Sequence, residues 1–231
     1  GEGKSAGRDM DRQQEGKKHH DSDIDSVNLH SLIDGVNMAG MKRGQHHGAL
    51  REALLEAGLA LLDAEGIEAV TIRACARRAG VSHAAPVNHF ADRRALLTAL
   101  AVHCMNQLEA ETTQRLSAVG GEAQARLEEL FTLSVDYGLA WPHRYRLMGR
   151  ADLRDALDPA LTDALDRLMA HVTGLVAELA PKRVSQPTMI LALCAALSGY
   201  VFMVIDGNLG SRSDAETGRP LHLAMLDLLL D

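Results

Sequence analysis

Aromatic residues are scarce in this chain, with three Phe, three Tyr and one Trp among 231 residues. Sheets favour aromatic and β-branched side chains, so this scarcity, with Ala and Leu dominant, weighs against a sheet. No sustained period-2 alternation appears either. Cysteine is just as thin: Cys75, Cys104 and Cys194 are too few and too scattered for a disulfide scaffold or a zinc cluster. A reducing, cytoplasmic setting is therefore expected, with each thiol packed as a small hydrophobe. The prolines number six and fall mostly where helices could begin or end. There is no glycine-rich phosphate loop and no metal-ligand spacing, and the pairs His19-His20 and His46-His47 lack a second anchored ligand pair. No cofactor and no metal are expected. An excess of positive charge is missing as well: the net charge is −7, which argues against a protein that coats nucleic acid over its whole surface.

What is present is 46% apolar composition, ample for a core, arranged with helical periodicity. The expected fold is all-α. Charge divides the chain into a net-acidic stretch at 1–41, a net-basic one at 42–94 and a net-acidic one at 95–231. Residues 1–41 are highly charged and poor in apolar residues until Leu29. They are expected to form a disordered N-terminal extension or an appended leader lying outside the fold. From Ala49, the residues Leu50, Leu54, Ala57, Leu61 and Leu62 form a 3.6-period stripe that stops at Gly66. Thr71 then offers an N-cap oxygen to a short helix ended by Gly80, and Ser82 offers the next cap. Pro86 would lie in the first turn of that third helix, where its missing N–H is tolerated. A packing helix followed by two short helices around a glycine turn makes a helix-turn-helix unit.

Residues 49–97, including TIRACARRAGVSHAAPVNHFADRRALL, resemble the N-terminal domain of the TetR family of bacterial transcriptional regulators. The likeness rests on the length of the first helix, the threonine cap, the A-x-x-A-G-V-S turn and the H-F pair. A polar cap before A-L-L completes it. The resemblance implies a three-helix DNA-binding domain over 42–94 and a helical ligand-binding and dimerisation domain over 95–231. It further implies a homodimer whose third helices enter successive major grooves of a palindromic operator. Carried over by position, the DNA-facing residues are Thr71, Arg73, Ser82, His83, Ala84, Ala85, Val87, Asn88 and His89. Lys42 and Arg43 belong to a preceding arm. Asn88 suits an adenine edge and the alanines suit thymine methyls; Thr71, Arg73 and Ser82 suit phosphates. Val87 departs from the aromatic residue usual at its position, and Arg94 is unusual in the first turn of the next helix, where it could reach a phosphate.

Beyond Phe90, Asp92 caps a long helix, and further helices are expected near 127–141, 144–148, 159–180, 184–205 and at the C-terminus. The resemblance places a small-molecule effector pocket in this half, for which the candidates are Leu97, Cys104, Tyr137, Trp141, Met148, Met169 and His171. YGLAWPHRYRLMG and LCAALSGY resemble a C-terminal subtype with a Trp-His-Gly signature, although Cys194, Ser198 and Gly199 match it only at glycine. The segment 184–205 keeps a long uncharged apolar run that could span a membrane, but the family pattern reads it and the last helix as a four-helix dimer interface. Its candidates are Leu197, Tyr200, Val201, Val204, Leu221, Met225 and Leu228. The expected function is a repressor released from its operator by a small molecule, without membrane attachment. The alternatives are a helical membrane-associated or interaction protein or, less readily, an enzyme using Cys104 with His103 or His143 with Asp136.

Overall fold

The computed structural model describes residues 43–82, 88–154 and 158–231, with side chains from residue 48 onward. Among the described residues the chain is helical, and its one β feature is a single bridge between Ser213 and Pro220. α1 (Arg43–Glu65) buries Leu54, Ala57, Leu61 and Leu62 of the apolar stripe read from the sequence, with Leu55 beside them, and leaves Leu50 half-buried. It begins six residues before Ala49, where the stripe starts. It ends because Gly66 turns to a φ of 81°, and a Cβ there would sit 3.2 Å from the His143 ring. A short 3₁₀ turn (Ile67–Ala69) leads to α2 (Ile72–Arg78), whose first turn is capped by Thr71: its Oγ1 accepts from the Ala74 N–H at 3.1 Å. Gly80, at φ 68°, then reverses the chain.

α3 (Arg93–Val119) starts at Asp92, whose carboxylate accepts from the Ala95 N–H at 2.8 Å. α4 (Ala123–Ala140) stops at Trp141, and Pro142 opens α5 (Pro142–Met148) at a position where no N–H is needed. α6 (Ala151–Arg154) is a single turn that the sequence pattern did not announce. α7 (Pro159–Leu179) is capped by Asp158, α8 (Gln186–Ile205) by Ser185, and α9 (Leu221–Leu230) follows Pro220.

Two apolar clusters hold these helices together. The first joins α1 and α2 to α3, α5, α6 and α7 through Leu54, Leu62, Val70, Cys75, Phe90, Leu96, Leu100, Leu147, Leu153 and Leu161. The second gathers α4, α7, α8 and α9 around Leu127, Phe131, Val176, Leu193, Val201 and Leu226. Each fully buried Leu or Phe contributes about 1.5–3 kcal/mol relative to exposure. The helix-turn-helix segment therefore shares a core with the helices behind it.

Candidate nucleic-acid interface and internal cavity

The basic segment reaches the surface on α2. Thr71, Arg73, Arg77 and Arg78 are exposed, while Cys75 and Ala76 on the opposite side are buried in the first cluster. Because Thr71 Oγ1 accepts the cap bond, its own hydroxyl proton stays available to an outside acceptor. Ser82 and Asn88 are exposed and His89 is half-buried; Phe90 is buried and carries the Arg51 guanidinium over its ring at 5.5 Å. Phe90 thus pins the end of the segment to the core. Lys42, His83, Ala84, Ala85 and Val87, with Pro86, lie outside the described residues, as does the side chain of Arg43.

Arg94 is exposed, and its guanidinium donates to the Asp152 carbonyl, tying the start of α3 to α6. Its neighbour Arg93, which sequence reasoning passed over, donates to the Val70 carbonyl at 2.8 Å and the Ile67 carbonyl at 2.6 Å. It also pairs with Glu68 at 3.5 Å. These carbonyls belong to the turn between α1 and α2, so Arg93 fixes how α2 leaves α1. No spacing rule signals a side chain that bonds backbone more than twenty residues away.

A second polar joint links α1 to α5. Arg144 is buried and donates to both oxygens of Asp63, at 2.8 and 2.6 Å, and to Gln107 of α3 at 2.9 Å. Its guanidinium also lies over the Trp141 ring at 4.0 Å. A two-point Arg–carboxylate pair constrains direction as well as distance. Burial acts to lower the Arg144 pKa, but the Asp63 carboxylate outweighs it and raises it, so the guanidinium keeps its charge throughout the ordinary pH range.

Next to α5 lies a cavity of about 360 Å³ among α3, α4, α5, α7 and α8. Met105, Leu108, Leu130, Leu165, Leu168 and Val172 supply much of its apolar wall; Tyr145, Met148 and Gly149 come from α5 and the residue after it. Of the candidate pocket residues, Met148 and Met169 line it. The others are elsewhere. Cys104 and Tyr137 are packed in the core, where the Tyr137 hydroxyl donates to the Cys104 carbonyl at 3.5 Å. Leu97 borders a separate surface groove with Arg93, Arg94 and Arg150. Trp141 is exposed against Arg144, and the half-buried His171 faces Glu109 and Thr113. Helical spacing marks an inward residue; whether it meets a neighbour or a void depends on the tilt of the facing helix. Leu197, Cys194, Ser198 and Phe202 line the cavity without having been expected to.

Two family models match the chain: one described as bacterial regulatory proteins, tetR family, over residues 54–100, and one described as a tetracyclin repressor-like C-terminal domain over 127–227. Together they span more than half of its length. This chain belongs to the TetR family. It is similar to the HTH-type transcriptional regulator BetI of Paraburkholderia phymatum, with 31% identity over 86 residues, or 37% of this chain and 44% of that protein. The match thus spans less than half the length of the curated relatives. Among solved structures, a protein of unknown function from Rhodococcus sp. RHA1 is 27% identical, with a TM-score of 0.60, covering 81% of this chain and 95% of that one. The regulator FadR of Bacillus subtilis, solved with stearoyl-CoA, shares the fold at 12% identity and a TM-score of 0.58, covering 78% and 95%.

The TetR-family chain presents one further surface. α8 is long and apolar enough to cross a membrane, yet only 22% of its apolar stretch is buried within the protomer. The candidate interface residues divide accordingly. Leu197, Tyr200 and Val201 face the protomer's own second cluster and do not present an outer face; Val204, Leu221 and Met225 are half-buried, and Leu228 is 77% exposed. The outer side of α8 instead carries Leu191, Ala195, Gly199 and Met203. A helix apolar all round shows its sequence pattern on both sides, so periodicity could not tell the inner side from the outer.

The enzyme alternative finds no assembled site among the described residues. Cys104 is buried, and burial pushes its thiol up to about 11, so it remains protonated, while His103 is exposed. His143 abuts Gly66, and Asp136 pairs with Arg115 at 3.8 Å.

Proposed function

We propose that this TetR-family chain is a DNA-binding transcriptional regulator, a repressor that holds a palindromic operator as a homodimer and is released by a small molecule. The observation that carries the reading is the joint between α1 and α5. α5 gives Arg144 to Asp63 of the helix that packs against α2, and from its next turn gives Tyr145 and Met148 to the cavity wall. A molecule in the cavity touches the same seven-residue helix that positions α1. The reader spans 42–94 and the effector and dimerisation part 95–231. Thr71, Arg73 and Ser82 meet phosphates, and Asn88 reads a base edge.

Release requires that the effector bind one arrangement of α5 better than the other, and couplings of this kind are typically about 1–3 kcal/mol. The dimer forms through the outer sides of α8 and α9, where Ala195 and Gly199 permit close helix approach between exposed Leu191, Met203 and Leu228. Such pairing accounts for the apolar surface of α8 without a membrane, in keeping with a cytoplasmic protein. The test is recovery of fragments bound by the purified full chain from a random DNA pool at low salt. A two-fold-symmetric site is expected, with Asn88→Ala losing preference at one base pair per half-site by about 1–3 kcal/mol. If no DNA is retained at low salt, the regulator reading is abandoned.

A further inference from the structure

Between residues 144 and 154 the chain carries four arginines, and three are committed. Arg144 is held by Asp63, Arg146 by Asp206 and Arg150 by Asp152. Arg154, at the end of α6, makes no hydrogen bond or ion pair among the described residues, and it lines the apolar cavity. It is the one charged residue among those described around that cavity.

Two hydroxyl groups of the wall are already spent as donors on their own helices. Thr112 donates to the Leu108 carbonyl at 2.7 Å and Ser134 to the Leu130 carbonyl at 2.8 Å, bonds from each residue back to the preceding turn of its own helix. Ser198 is engaged with the Tyr145 phenol. Thr112 and Ser134 therefore offer lone pairs, the Ser198–Tyr145 pair keeps one neutral O–H, and the charged donor for an occupant's oxygen is the guanidinium of the exposed Arg154 at the cavity's rim. Among the described residues, no carboxylate lines the cavity to neutralise a cation.

We propose that the cavity takes an amphipathic anion: a compact apolar body seated among the leucines and methionines, with a carboxylate or similar acidic head paired to Arg154. The inference rests on the reading of this cavity as the effector site and adds the chemical class of the effector. Guanidinium suits a carboxylate because two parallel N–H groups meet its two oxygens. The apolar wall supplies affinity without regard to head group, and Arg154 supplies the discrimination.

Calorimetric titration of the purified full chain with decanoate, decan-1-ol and decylamine, each below its micelle-forming concentration, tests this. Protection of Cys194 from alkylation reports whether the cavity is the site, since that half-buried thiol lines it while Cys75 and Cys104 are buried. Decanoate should bind roughly tenfold or more tightly than decanol, as expected for a charge-assisted hydrogen bond, and should protect Cys194. Arg154→Gln should bring decanoate down to the level of decanol while leaving decanol unchanged, and Arg154→Lys should keep most of the preference. Equal binding of acid and alcohol, tighter binding of the amine, or an acid preference that survives Arg154→Gln overturns the anionic head group and leaves the cavity reading standing. If none of the three protects Cys194, the cavity reading falls together with the inference.

Discussion

At the end of α1 the chain closes a joint with charge. Asp63, Arg144 and Gln107 satisfy one another inside a single protomer, and Trp141 covers the guanidinium. Along the outer side of α8 it does the opposite, leaving Leu191 69% exposed and no charged residue from Gln186 to Ile205. The first region carries buried charge and is complete alone, because an unpaired guanidinium there would be costly. The second is apolar and incomplete, because an uncovered stripe of this kind gains by meeting another. On the proposed reading, a dimer that keeps two readers at one spacing needs both: a directional joint within each subunit and an adhesive face between them.

The largest effect should come from the open face. In the protomer nothing lies within 4 Å of a Cβ built on Gly199. A side chain there is harmless to the lone subunit and, by helix propensity, would favour it by up to about 1 kcal/mol. Gly199→Leu combined with Leu191→Lys should therefore turn a dimer into a monomer with unchanged helical circular dichroism. Sedimentation showing an intact dimer would break the contrast between the two regions.

Next in size is the joint. Asp63→Asn leaves Arg144 buried without its counter-ion and should lower stability by about 3 kcal/mol in denaturant titrations. It should also uncouple effector from operator, so that DNA affinity responds less to an occupant of the cavity. A variant as stable as the parent would show that the pair contributes little and that the apolar cluster alone sets α1 against α5.

The smallest effect belongs to His222 of α9, beside the open face. Burial holds its imidazole below the ordinary value of 6.5; Arg219 acts in the same direction and Asp136 opposes it. Thr132 donates to the Glu128 carbonyl and also lies 3.3 Å from His222 Nε2. The folded chain thus binds fewer protons than the unfolded one just below pH 6.5. The stability tied to the neutral ring is complete above that value and is lost as pH falls toward the lowered pKa. Comparing the melting temperatures of the parent and His222→Gln between about pH 7.5 and 5.5 should show the parent falling more steeply. Parallel curves would remove His222 as a source of acid sensitivity on this side.

Much of this architecture was legible from sequence. Thr71, Asp92 and Pro142 act at helix ends as their chemistry requires, and Leu54, Ala57, Leu61 and Leu62 of the α1 stripe are buried as their spacing predicts. The site was legible in part. Thr71, Arg73, Ser82 and Asn88 are exposed at or after α2. The bond from Arg94 to Asp152 was not legible, because its acceptor arrives from 58 residues away. Tyr137 and Cys104 looked like pocket residues because inward-facing side chains look alike in one dimension.

Periodicity, caps and breakers act within a turn or two of the chain, so the sequence by itself determined that this protein is helical, where most of its helices begin and end, and which segment carries the reader. The tertiary structure alone decided which arginines are spent on internal partners and which is left at the cavity. It alone decided which side of α8 is core and which is surface. Those choices depend on helix tilts and contacts between residues far apart in sequence, and no local pattern encodes the distance between two helices that meet only after folding.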